Sequence, residues 1–96
     1  MHGEFKMPGG KLIVIDLAVR EGCLADVQVS GDFFLEPDAA LDVINATLEG
    51  QSADADEHQL AAAVRAQLAP GVMMYGISPE AIAVAVRRAI DEGTAA

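Results

Sequence analysis

The alternation of apolar and polar residues between Lys11 and Ser30 constrains the fold more than any other feature of this chain. Its first half has an apolar residue at every second position, the period of a half-buried β-strand, at Ile13, Ile15, Leu17 and Val19. The second half repeats the pattern, and the residues predicted to face inward are Ala25, Val27 and Val29. Between the halves lies Glu21-Gly22, and glycine readily takes the positive φ of a tight turn. These residues predict an antiparallel hairpin, with Glu4–Met7 as a short additional edge strand.

Helical periodicity replaces this alternation in the rest of the chain. Three helices are predicted, and their starts are marked by Pro37, Asp54 and Ser78. Proline suits the first turn of a helix, serine caps it, and Asp54 stands three residues before Glu57, as in a capping box. Val72–Tyr75 suits either a short strand or a loop packed on the core. Strands followed by helices predict an α+β fold, a small antiparallel sheet of two to three strands covered on one face by three helices.

The composition narrows the class of protein. A chain of 96 residues suits one domain with one core, so residues 1–96 are predicted to form a single domain. The formal charge of −9 disfavours nucleic acid and anionic membranes as the main partners, because both are bound through clusters of Lys and Arg. The single cysteine, Cys23, cannot form an intramolecular disulfide. A reduced, cytoplasmic protein is therefore expected.

Residues with catalytic or metal-binding chemistry do not form a recognisable set. His2 and His58 are far apart in the sequence, and Cys23 has no predictable partner base. Four aspartates are predicted to be solvated or to cap turns and helices, namely Asp26, Asp32, Asp38 and Asp42. We therefore expect no metal site and no catalysis by this chain alone.

The loop Pro8-Gly9-Gly10-Lys11 carries the most notable surface chemistry. It is not a phosphate-binding P-loop, because Leu12 stands where Ser or Thr is required and a strand follows instead of a helix. Both lysines of this acidic protein, Lys6 and Lys11, nevertheless lie beside the two glycines of the loop. A tight turn that leads into the sheet is the simpler interpretation, and contact with an anion or an acidic partner is the functional one. The pair Lys6-Met7 also invites comparison with biotin-carrier domains, but Pro-Gly-Gly follows it here.

Several strings of this sequence resemble the accessory domain of lipoate–protein ligases. They are Lys6–Val14, Glu21-Gly22, Ser30–Pro37 and Gly76–Glu80. The resemblance spans nearly the whole chain and is most specific over residues 6–37. Ala81 replaces an acidic residue that the family often has near the start of its final helix. In some ligases this domain is fused to the catalytic domain, and in others, notably archaeal ones, it is a separate small protein.

The resemblance implies an α+β fold and a non-catalytic role in protein lipoylation. In this family the large subunit forms lipoyl-adenylate from lipoate and ATP and passes the lipoyl group to a carrier lysine. This chain would bind no cofactor alone, since lipoate and ATP with Mg²⁺ belong to the assembled ligase. Its implied partner is the catalytic subunit, in a heterodimer.

Two groups of residues are predicted to form the surface that this partner meets. The loop expected to face the catalytic subunit or its nucleotide consists of Lys6, Gly9, Gly10 and Lys11. A possible flanking interface consists of Gly31, Asp32, Phe33 and Phe34. For Phe34, the core and the interface are equally good interpretations. Two other functions stay open at this point, a small-molecule-binding module and an interaction domain without a ligase partner.

Overall fold

Eight elements form the fold in the computed structural model, which describes residues 1–9 and 11–94. In chain order they are β1 (His2–Lys6), β2 (Leu12–Arg20), β3 (Cys23–Gly31), β4 (Phe34–Glu36), α1 (Ala40–Leu48), α2 (Glu57–Gln67), β5 (Met73–Tyr75) and α3 (Pro79–Thr94). The first three strands form an antiparallel sheet in the order β1-β2-β3, and β4 pairs with β5 in a two-stranded antiparallel ribbon. Helix α3 packs on β1, β2 and α2, while α1 packs on β3. The predicted α+β fold is confirmed. None of the helices in the described part of the chain has the length and apolar character needed to cross a membrane.

The hairpin of β2 and β3 forms around the predicted turn. Arg20 pairs with Cys23, which leaves Glu21-Gly22 as a two-residue connection. Both turn residues have positive φ, 53° and 77°, as a type I′ turn requires. The inward-facing side chains of Ile13 and Ile15 are fully buried. The hairpin therefore supplies the centre of the core.

A β-bulge in β3 changes which of its side chains face the core. Asp26 and Val27 both lie opposite Leu17, and Asp26 takes a φ of 53°. The extra residue shifts the alternation by one position. Ala25, predicted to face inward, is consequently only half-buried, and its neighbour Leu24 occupies the core instead.

Side chains and loops cover the outer edge of β3. The backbone N–H of Val27 donates to Glu49 Oε1 at 2.6 Å, and that of Val29 donates to Asn45 Oδ1 at 3.1 Å. Both acceptors come from α1 and its C-terminal end. They satisfy groups that would otherwise form an unpaired sheet edge, which is a common site of aggregation.

The predicted start of the last helix is confirmed, and the other two starts are wrong by two or three residues. Ala81 N–H donates to Ser78 Oγ at 3.0 Å, which makes Ser78 the N-cap of α3. Helix α1 begins at Ala40, after a turn over residues 37–39. Helix α2 begins at Glu57, and its capping box joins Asp56 and Gln59 rather than residues 54 and 57. The preceding segment is held outside the helix because it hydrogen-bonds to the β2–β3 turn.

Helix α3 approaches β1 closely at a glycine. A Cβ atom at Gly3 would lie 2.4 Å from Ala89 N and 2.5 Å from Ala85 O. Those are backbone atoms, so no side-chain rotation relieves the contact. The helix contributes small residues on its side, because Ala85 and Ala89 are both fully buried. Gly3 and these two alanines therefore determine the distance between the helix and the sheet.

We predict that Gly3→Ala destabilises the protein by about 1–3 kcal/mol, the usual cost of overpacking a well-packed site. For a domain of this size, that corresponds to a fall in Tm of roughly 4–8 °C per kcal/mol in a thermal melt. The control is Lys6→Ala, a change at an exposed position in the same strand, which should stay within about 0.5 kcal/mol of wild type. Equal melting temperatures for the two variants would contradict the close packing of α3 on β1.

Candidate functional site

The ribbon of β4 and β5 carries a group of exposed apolar side chains. The exposed fraction is 68% for Phe34, 49% for Tyr75 and 48% for Met73. Phe34 pairs directly with Tyr75, and Glu36 pairs with Met73. Side chains of directly opposed residues project to the same side of an antiparallel pair. Phe34, Met73 and Tyr75 therefore form one surface, named here the aromatic–methionine patch.

The opposite face of the ribbon anchors the patch to the core. Leu35 is buried, and the half-buried Met74 packs against the same core cluster. Because side chains alternate along a strand, burial of Leu35 directs both its neighbours outward. Phe33, which precedes the strand, is half-buried and packs against the core. The two consecutive phenylalanines are thus divided between core and surface, and Phe34 is the exposed one.

Lys11 lies beside this patch. Gly76 follows β5 with a φ of 75°, and a Cβ atom there would lie 2.6 Å from Lys11 Cγ and 3.0 Å from Lys11 Cβ. The aliphatic stem of Lys11 therefore covers Gly76, directly after Tyr75. This contact brings Lys11 and Phe34, which are 23 positions apart in the sequence, to one region of the surface.

The side chain of Lys6 projects from the face of the three-stranded sheet that is turned away from α3 and the core. Gly3 and the half-buried Phe5 face α3 and the core, so the next side chain, that of Lys6, points away from them. Gly9 lies in the connecting turn with a φ of 100°, and Gly10 lies outside the described residues. Lys6 pairs with Leu12, the residue after Lys11, so the two lysines lie on either side of the β1–β2 turn, and their contact with a partner stays a prediction.

Gly31 has a structural reason to be glycine. Its φ is 142°, and a Cβ atom would lie 2.0 Å from the carbonyl oxygen of Leu12. The next residue, Asp32, donates its backbone N–H to that same oxygen at 3.1 Å. The close approach holds the chain against β2 as it leaves the sheet toward β4. The side chain of Asp32 is exposed, two residues before Phe34.

Met73 and Tyr75 are functional candidates that the sequence did not single out. Each strand of the ribbon has three residues, which is too short for a period of two to stand out. The pairing of β4 with β5 joins segments about 40 positions apart, so no local signal reveals it. The exposed Phe-Tyr pair appears only when the two strands are brought together.

A cluster of charged side chains lies at the other end of β1. His2 Nδ1 is 2.7 Å from Asp16 Oδ1, and His2 Nε2 is 2.7 Å from Glu4 Oε2. These hydrogen bonds, that to Glu4 first and that to Asp16 second, raise the pKa of His2 above its usual value. Arg88 from α3 donates to the carbonyl oxygen of Glu4 at 3.1 Å and stacks over the ring of Phe5. The cluster joins β1 to β2 and α3. Across residues 1–9 and 11–94, no group of three His, Cys, Asp or Glu side chains is placed to hold a metal ion.

A cleft of about 380 Å³ between α2 and α3 opens to solvent. Its lining includes His58, and Arg65 on one side forms an ion pair with Glu80 on the other. The ion pair spans the cleft, so the two charged groups that could bind a polar ligand are already bound to each other. The cleft is therefore a weaker candidate for binding a small ligand than the aromatic–methionine patch is for binding a protein surface.

Comparisons with known proteins point to one system. No protein-family model matches the chain, and no curated protein is significantly similar to it in sequence. The chain is similar to one in a solved structure of an archaeal lipoylation system, described as a bipartite lipoate protein ligase and its E2 lipoyl domain from Thermoplasma acidophilum. The sequences are 26% identical and the TM-score is 0.68. The alignment covers 91% of this chain and 98% of that one, so the two have similar lengths.

The raised pKa of His2 gives a prediction about pH. Protonated His2 binds the two carboxylates better than neutral His2 does, so its contribution to stability is complete below the pKa of the unfolded chain. The contribution is lost as the pH rises through the raised pKa of the folded protein. In an NMR titration of the ring protons, the midpoint should fall in a Glu4→Gln/Asp16→Asn double variant. Equal midpoints in that variant and in wild type would contradict the role of the two carboxylates.

Proposed function

We propose that this chain is a non-catalytic accessory subunit that supports lipoate activation by a separate lipoate–protein ligase catalytic subunit. The observation that carries the proposal is the similarity, over nearly the full length of both chains, to a component of a bipartite lipoylation system. The sequence resemblance to the accessory domain of lipoate–protein ligases, strongest over residues 6–37, supports the accessory role within such a system. The assembled ligase, rather than this chain alone, would bind lipoate and ATP with Mg²⁺.

The distribution of polar side chains fits an assisting role. Among the described residues, no polar or charged side chain is buried. An enzyme usually holds its acid, base or nucleophile in a desolvated setting that tunes its pKa. An accessory protein needs no such setting, because it acts by ordering a mobile loop or excluding water in the partner's active site. Such an effect exists only when the two proteins are associated.

The alternative within the same system is an acyl acceptor. The compared structure includes a lipoyl domain, and Lys6-Met7 lies at the end of β1 next to the β1–β2 turn with an exposed lysine. An acceptor would gain a covalent lipoyl group on Lys6, whereas an accessory subunit would stay unmodified. The two functions therefore differ in a directly measurable product.

The test is an assay of pyrophosphate release with lipoate, ATP and the catalytic subunit, with and without this chain. We expect this chain to raise the rate about fivefold or more, at the lower end of typical coupling between bound sites. The chain alone should release none. An unrelated acidic protein of similar size, added in its place, is the control.

Three outcomes would contradict the accessory role. Equal rates with and without this chain would show that it does not support the catalytic subunit. Pyrophosphate release by this chain alone would show that the chain is itself an enzyme. A lipoyl mass increase on this chain that is lost in Lys6→Arg would make it the acceptor.

A further inference from the structure

We propose that the aromatic–methionine patch is the surface on which the catalytic subunit docks, a step that rests on the proposed function. Its complement would be an apolar pocket bordered by basic side chains, with one acidic group placed opposite Lys11. The exposure, the packing and the charge of the β4–β5 ribbon support this partner surface.

Exposure distinguishes the ribbon from the rest of the surface. Large exposed apolar side chains in the described part of the chain are Met1, Phe34, Val43, Met73 and Tyr75. Three of these five share the ribbon, whereas Val43 lies on α1 and Met1 precedes β1. Isolated exposed apolar residues are ordinary, but a contiguous group marks an interaction site. Aromatic residues and methionine are also enriched at protein interfaces, and tyrosine is frequent among their hot spots.

The patch is also held in place before any partner arrives. Phe34 and Tyr75 face each other on paired strands, and Leu35 and Met74 fix the reverse side of the ribbon to the core. Ordering of side chains and loops is a main cost of association. Because the backbone beneath the patch is already fixed, docking there loses less conformational entropy than docking on an unsupported loop would.

Charge favours a different protein over a second copy of this chain. Exposed carboxylates flank the patch, with Asp32 two residues before Phe34 and Glu36 two residues after it, opposite Met73. A symmetric dimer uses the same surface on both copies, so it would bring these carboxylates together between two chains of formal charge −9. A partner with basic residues around an apolar pocket would instead meet opposite charge, which speeds association at low salt.

The experiment measures binding of this chain to the purified catalytic subunit by calorimetry and by association kinetics. Phe34→Ala and Tyr75→Ala should each weaken binding about 30-fold or more, the range of interface hot spots. Tyr75→Phe keeps the ring and should bind like wild type. Val43→Ala is the matched control, because it removes an exposed apolar side chain on α1 and should leave binding unchanged.

Charge provides a second, independent measurement on the same proteins. Glu36→Lys should slow association and flatten its dependence on ionic strength, because it removes part of the attraction to basic residues on the partner. Circular dichroism melts of every variant verify folding, and Glu36→Lys, at an exposed position opposite Met73, tests the same surface even if an alanine variant is unstable. An association rate that is the same in wild type and Glu36→Lys at low and high salt would overturn the assigned charge complementarity.

The outcomes separate this inference from the proposed function. Binding and stimulation by wild type that persist unchanged in Phe34→Ala and Tyr75→Ala would overturn the docking surface and leave the accessory role intact. No binding and no stimulation by wild type would overturn both. Concentration-dependent dimerisation that Phe34→Ala abolishes would assign the patch to a second copy and overturn the proposal as well.

Discussion

The contact between Gly3 on β1 and the backbone of α3 at Ala85 and Ala89 is the constraint on which the rest of the structure depends. It allows the helix to lie directly on the sheet, so that Ile82 and Val86 of the helix can be buried together with the side chains of the hairpin. A small domain buries a limited share of its surface, so each close contact of this kind is a large part of its stability.

The position of α3 also determines where the candidate site lies. The helix begins at its N-cap Ser78, and Gly76, covered by the stem of Lys11, connects it to β5. Strand β5 in turn pairs with β4 and presents Tyr75 beside Phe34. The packing of the helix on the sheet is therefore linked, through a few residues of backbone, to the exposed patch that we propose as the docking surface.

Sequence reasoning works here where the signal is local and long enough. Two nine-residue strands around Glu21-Gly22 show their period clearly, and Ser78 followed by proline marks a helix start. It fails where a residue's conformation depends on its pairing partner. The bulge at Asp26 is an example, because pairing with β2, and not a local pattern, decides that two residues of β3 lie opposite Leu17.

The candidate site could be predicted only in part for the same reason. Phe34 could be named from the sequence, but its exposure depends on Leu35 entering the core and on Tyr75 arriving from a distant segment. The grouping of Lys6 with Lys11 followed from their proximity in the chain. The structure keeps them on either side of the β1–β2 turn, because Lys6 pairs with Leu12, and their contact with a partner stays a prediction.

The surface chemistry and the comparison with a bipartite lipoylation system fit one account. Apolar side chains gathered on one ribbon of an acidic domain suit contact with another protein, and the similar chain comes from the solved structure of a lipoylation system. In that account the accessory chain contributes its fold and its contact surface, while the chemistry belongs to the catalytic subunit.

Hydrogen–deuterium exchange of this chain with and without the catalytic subunit tests the central claim most directly. The account predicts slower amide exchange over residues 33–36 and 73–76 in the complex, because docking on the ribbon restricts its local opening. Exchange over α2, residues 57–67, should stay the same. Protection confined to α2, or identical exchange over the ribbon in both states while the complex is formed, would contradict the account.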